Sequence, residues 1–146
     1  MHLIPLRFLS VIVLILSCAA CATAQHATPE EDSAAKRFNV TNGKSNIYIY
    51  RNENLGLNTE IPVDIDGKHA GNTLQRTFIL QSVEPGEHKI TAHGENTSEI
   101  ELVTEADKIY FVWLDVSLGA FTNRGQLHSV SEEEGKAGVR ECMLVE

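Results

Sequence analysis

Beyond residue 37 this chain alternates between apolar and polar positions with a period of two, the signature of half-buried strands. Ile47-Tyr48-Ile49-Tyr50 is aromatic and β-branched, which suits a pleated surface. In Pro62-Val63-Asp64-Ile65-Asp66, Val63 and Ile65 share a face, and Asp66-Gly67 supplies the positive-φ pair of a tight hairpin. Residues 77–83 read as a further strand, followed by Glu84-Pro85-Gly86-Glu87, the residue order of a type II turn. His88, Ile90 and Ala92 then share a face, as do Ile100 and Leu102 in the stretch 97–104. Residues 109–116 (IYFVWLDV) are apolar on both faces and predict a strand well inside a sheet. Short strands separated by turns at this spacing predict a mostly β, single antiparallel β-sandwich domain.

The end of the chain breaks the alternation. Ser131 stands three residues before Glu134, a capping-box spacing, so a helix starts there. Gly135 and Gly138 would each cost about 1 kcal/mol inside it, which limits the expectation to a short C-terminal helix. Cys142-Met143-Leu144-Val145 closes the chain as a small apolar run packed on the sandwich, with Cys142 a buried and inert thiol.

The start is of another kind. After Arg7, residues 8–16 (FLSVIVLIL) form an apolar run of signal-peptide length, too short to span a bilayer. Ile15-Leu16-Ser17-Cys18 has the form of a bacterial lipoprotein cleavage box, with Leu16 larger than usual at its position. Two other cuts compete: before Cys21, or after Ala24 in the Ala22-Thr23-Ala24 triplet, which would release a soluble chain beginning at Gln25. The division expected is a signal peptide over 1–17 (1–24 if cut after Ala24), a flexible tether over 18–37 and a β-sandwich over 38–146. The polar stretch QHATPEEDSAAK carries little apolar surface with which to order itself.

Charge narrows the partners. The chain carries 12 basic and 20 acidic residues; without Arg7 that is 11 against 20, or −9. Such an acidic protein lacks the footprint of a nucleic-acid binder, and anionic lipid surfaces repel it. Membrane attachment is therefore expected through the lipid on Cys18 (or Cys21), several acyl chains giving a stable anchor. Ala19 and Ala20 carry no Asp retention signal. In a Gram-negative envelope that favours an outer-membrane lipoprotein facing the periplasm, the alternative being a soluble periplasmic or secreted chain.

Ile47-Tyr48-Ile49-Tyr50-Arg51, Val63-Asp64-Ile65-Asp66-Gly67-Lys68, Pro85-Gly86-Glu87-His88 and Glu133-Glu134-Gly135-Lys136-Ala137 follow one another in a set order. In that order they resemble the bacterial family labelled domain of unknown function 2846, short exported lipoproteins. The resemblance covers residues 45–145, and the middle portion is also similar to PEGA-type surface β-domains. It implies a β-sandwich and a cell-envelope location, and it brings no catalytic residues.

Candidate chemistry is sparse. No His-x-His, Cys-x-x-Cys, His-Glu-x-x-His or Gly-x-Ser-x-Gly pattern occurs, and Asp64-x-Asp66-Gly67 lacks the later ligands of a calcium loop. No cofactor and no catalytic residue is assigned; His88 and His93 are the weak metal candidates. Asn39-Val40-Thr41 and Asn96-Thr97-Ser98 match glycosylation triplets that have no meaning in a bacterial protein. If Ile47 and Ile49 face the core, Tyr48 and Tyr50 point the other way. There they either meet another envelope protein or a glycan, or lie beneath a second layer. The leading expectation is a non-catalytic envelope lipoprotein contacting another envelope component. A released small-molecule or metal binder using His88 is the alternative, and a hydrolase the third.

Overall fold

The computed structural model describes residues 26–54 and 59–145; the export signal, Cys18, Cys21, Ala24 and Gln25 lie outside them. Among the described residues, nine strands and two helices follow in the order α1 (Pro29–Ala35), β1 (Ser45–Arg51), β2 (Ile61–Ile65), β3 (Lys68–Thr73), β4 (Thr77–Val83), β5 (Gly86–His93), β6 (Thr97–Thr104), β7 (Lys108–Leu118), β8 (Asn123–Val130), α2 (Glu132–Arg140) and β9 (Met143–Leu144). They form a β-sandwich of a five-stranded sheet, β8-β7-β1-β4-β9, and a four-stranded sheet, β3-β2-β5-β6. Most pairings are antiparallel, but β1 runs parallel to β7 and β4 parallel to β9. The chain therefore inserts its first strand between β7 and β4, at the centre of the larger sheet.

That place explains the aromatic and β-branched composition of β1, which is buried along its whole length on both faces. Ile47 and Ile49 meet Val63, Ile65 and Ile90 of the facing sheet, joined by Val112, Leu114 and Leu127. The predicted hairpin forms with the expected register: Ile65 pairs with Lys68, and Asp66 and Gly67 adopt φ of 53° and 73°. The Pro85-Gly86 turn is different. It links strands of the two different sheets, and Gly86 takes φ 149°, far from the roughly +80° of a type II turn.

The tether assigned to 18–37 is corrected over its second half. Thr28 caps α1 through a full capping box with Glu31, and Pro29 occupies the first turn. A helix of seven residues does not persist alone, so tertiary bonds hold it. Leu144 N–H donates to Asp32 Oδ1 at 2.8 Å, the Tyr48 hydroxyl donates to the Ala35 carbonyl at 2.8 Å, and His26 bridges to Val145. The stretch 26–37 is thus part of the fold. Its Thr28-x-x-Glu31 signal is as plain as the one at Ser131, but the few apolar residues around it conceal its packing.

Helix α2 lies on the outer face of the larger sheet and makes a third layer there. Gly135, Gly138 and Val139 form its buried stripe, over Phe111 and Tyr50. Phe38 fills the gap beside it, its ring centroid 5.3 Å from Tyr48 and 5.9 Å from Phe111, with Lys136 and Arg140 over its other side.

Candidate functional site

Tyr48 and Tyr50 do face away from Ile47 and Ile49, but they form no binding face. They are 0% and 2% exposed, in an apolar cluster with Phe78, Phe111, Val139 and Cys142 beneath the two helices. Burial pushes both phenols up to about 12, with Glu134 acting second on Tyr50. The second layer covers them because the two helix glycines let α2 sit down on the rings. Cys142 is buried in the same cluster, its thiol 3.4 Å from the Arg51 carbonyl and pushed up to about 12 by burial.

The histidines of the smaller sheet are committed to carboxylates. His93 Nε2 lies 2.9 Å from Asp64 Oδ2, and His69 Nδ1 lies 3.5 Å from Asp64 Oδ1. His88 has both ring nitrogens engaged, Nδ1 with Asp66 Oδ2 at 2.7 Å and Nε2 with the Glu84 carbonyl at 2.8 Å. His88 and His93 do not come together on one ligand position. Among the described residues, no three His, Cys, Asp or Glu side chains converge as a metal site.

The Asp66–His88 pair carries a pH signature. Burial opposes the charged ring, yet the bonds to Asp66 and Glu84 and the Asp66 charge outweigh it and hold His88 above 6.5. The His88 bond, with help from the Lys89 amide, holds Asp66 below 3.8. A raised histidine stabilises the fold fully below its unfolded pKa, and loses that contribution as pH rises through the folded value. A depressed aspartate does so above its unfolded pKa, and loses it as pH falls through the folded one. The pair is therefore strongest between about pH 4 and 6.5. Urea unfolding should show wild type gaining over His88→Gln by up to about 1 kcal/mol near pH 5.5, a gain kept small because water screens Asp66, and less near pH 8.5, where the ring has lost its charge. An equal gap at both values would contradict the pairing.

The most organised exposed feature was not legible in any motif. The turn between β5 and β6 docks on the hairpin of β7 and β8. The Glu95 carboxylate accepts from the backbone N–H groups of Ala120 (3.2 Å), Phe121 (2.8 Å) and Thr122 (3.0 Å), which lowers its pKa from the ordinary value. Gly119 makes this possible, because a Cβ there would stand 2.4 Å from the carboxylate. Asn96 bonds both the N–H and the carbonyl of Gly125, at 3.0 and 2.8 Å, and Ser98 accepts from Leu127 N–H at 3.0 Å. Asn96-Thr97-Ser98 is a structural clamp. Such a clamp between residues distant in the chain leaves no local trace, beyond a turn rich in residues that bond to backbone.

The clamp fixes two things. At the loop tip, Phe121 is 96% exposed and Leu118 62% exposed. Behind it lies a groove of about 440 Å³, lined by Asn96, Ser98, Asp115, Ser117, Arg124 and Gln126 among others.

A profile of the family described as "Protein of unknown function (DUF2846)" matches residues 41–126, more than half of the chain. The chain belongs to the DUF2846 family. An uncharacterized protein of Haemophilus influenzae is 36% identical over 132 residues, which cover 89% of this chain and 79% of that protein. Within this DUF2846 chain the matched span runs from just before β1 into β8. It holds the Glu95 clamp, Phe121 and every groove residue named, while α1, α2 and β9 lie outside it.

Proposed function

We propose that this DUF2846 chain is a non-catalytic module of the bacterial cell envelope, anchored by a lipid on Cys18, that grips another envelope protein through its Phe121 loop. Export and the anchor rest on the apolar run 8–16 and the Ile15-Leu16-Ser17-Cys18 box. The observation that carries the binding role is the state of Phe121. A phenyl ring held in water by a loop with three backbone bonds to one carboxylate is an apolar anchor already in place. Little conformational freedom is lost when a partner covers it. The groups able to do polar chemistry on the other sheet, His69, His88 and His93, are instead paired with Asp64 and Asp66.

Two measurements test this. Intact mass of the protein from its native envelope should show acylated Cys18 rather than acylated Cys21 or a free Gln25 terminus. A photoreactive phenylalanine at position 121 should crosslink a discrete envelope protein in cells, while the same group at exposed Val103 should not. Binding of that purified partner should weaken by about thirtyfold in Phe121→Ser, the loss of one hot-spot aromatic. Unchanged affinity in Phe121→Ser would sink the reading.

A further inference from the structure

We infer that the groove behind the Phe121 loop is a binding site for a neutral saccharide. This goes beyond the proposed protein contact and rests on different residues. Leu114 and Val116 of β7 and Leu127 of β8 point into the sandwich. By the alternation of strands, Asp115, Ser117, Gln126 and Arg124 therefore share the outer face. The register sets them as cross-strand pairs, Asp115 opposite Gln126 and Ser117 opposite Arg124. The next pair along the same face is Trp113 and His128, whose ring centroids lie 5.4 Å apart with the planes tilted by 32°. With about 6.6 Å between successive pairs, the three pairs make a ladder roughly 13 Å long, with an aromatic end and a polar end.

The polar end has its hydrogen-bonding capacity free. Among the described residues the side chains of Asp115, Ser117 and Gln126 make no hydrogen bond or ion pair, and Arg124 contributes only its charge to Glu95. Asp115 and Arg124 are diagonal neighbours on one face, yet they form no salt bridge. The wall beside them is rigid, because Asn96 and Ser98 are bonded to the β8 backbone.

These facts select the ligand class. A carboxylate beside a guanidinium is neutral in sum, so neither an anion nor a cation is favoured, least of all an anion on a chain of net charge −8. A peptide adding as a strand would need the outer N–H groups of β8, and those of Gly125 and Leu127 are already taken by Asn96 and Ser98. What remains is a neutral molecule that both donates and accepts at closely spaced positions. Vicinal hydroxyls donate to the two oxygens of Asp115 and accept from the fork of Arg124, while the Gln126 amide does both. Trp113, at the far end of the ladder, lines a separate cleft beside α2, so the groove itself is lined by polar side chains. The volume of about 440 Å³ falls within the usual range of small-ligand sites.

The test is titration of the full ¹⁵N-labelled chain with neutral di- to tetrasaccharides of hexose and N-acetylhexosamine units. At least one should move the amide signals of Asp115, Ser117, Arg124 and Gln126 in a saturable way. Asp115→Ala and Gln126→Ala, both with unchanged spectra elsewhere, should each weaken it by about tenfold. Blocked dialanine and glycylglycine serve as the peptide and zwitterion arms. No response to any saccharide overturns the inference, as does a response to either peptide that is equal or stronger. Because Phe121 is not altered, failure here leaves the crosslinking result standing, and the reverse.

Discussion

Gly135→Ala is expected to destabilise this protein by about 2–3 kcal/mol, although alanine is the better helix former by about 1 kcal/mol. A Cβ at position 135 would stand 2.1 Å from Phe111 Cγ and 2.3 Å from its Cβ. Those atoms are the stem of the ring, fixed to β7, so rotation of the side chain cannot clear them. The helix must lift, and it carries Val139 and the cover over Tyr50 with it. Gly138→Ala meets Tyr50 Cε2 at 2.2 Å, further out along the ring, where a tilt relieves part of the clash and the loss is smaller. For a domain of this size the first change should lower the thermal midpoint by roughly 5–12 °C. Phe111→Ala combined with Gly135→Ala should lose less than the sum of the two single changes, since alanine at 111 removes the Cγ and Cδ1 atoms that the new methyl meets. A rise in midpoint in Gly135→Ala would mean that α2 does not rest on the sheet.

The other large effect lies at the end of β1. Arg51 is 0% exposed, and its guanidinium pairs with the Glu53 carboxylate, itself mostly buried. Arg51 Nη1 also donates to the Thr59 carbonyl at 2.7 Å, so one side chain ties β1 to the chain that leads into β2. Glu53→Ala leaves a buried cation without its counter-charge and should cost about 3–5 kcal/mol in urea unfolding. Arg51→Met with Glu53→Leu removes both charges and should recover much of that loss, since burying a pair gains little over apolar packing. If Glu53→Ala proved neutral, the pair would have to be solvated in the folded protein.

Both predictions concern contacts made by tertiary packing, which a short window of sequence does not display. The strands were legible because period two survives in Val63/Ile65 and Ile90/Ala92 whatever lies opposite. Asp66-Gly67 was legible because a two-residue hairpin needs its own positive-φ residues. The parallel insertion of β1 beside β7 was not, since a strand buried on both faces reads alike in either direction. The glycines of α2 read as a weakness, and are the means by which the helix reaches Phe111 and Tyr50. The tyrosines read as a possible surface because a helix far along the chain covers them.

The sequence by itself determined the mostly β class, the hairpin, the capped C-terminal helix and the acidic charge, all properties of residues close together in the chain. The tertiary structure alone decided which faces are free. Burial of Tyr48 and Tyr50, ordering of α1, and the clamp of Glu95 and Asn96 that presents Phe121 and the groove each join residues far apart. The gain in each case comes from removing apolar surface from water or satisfying backbone groups, and neither leaves a mark within a short window of sequence.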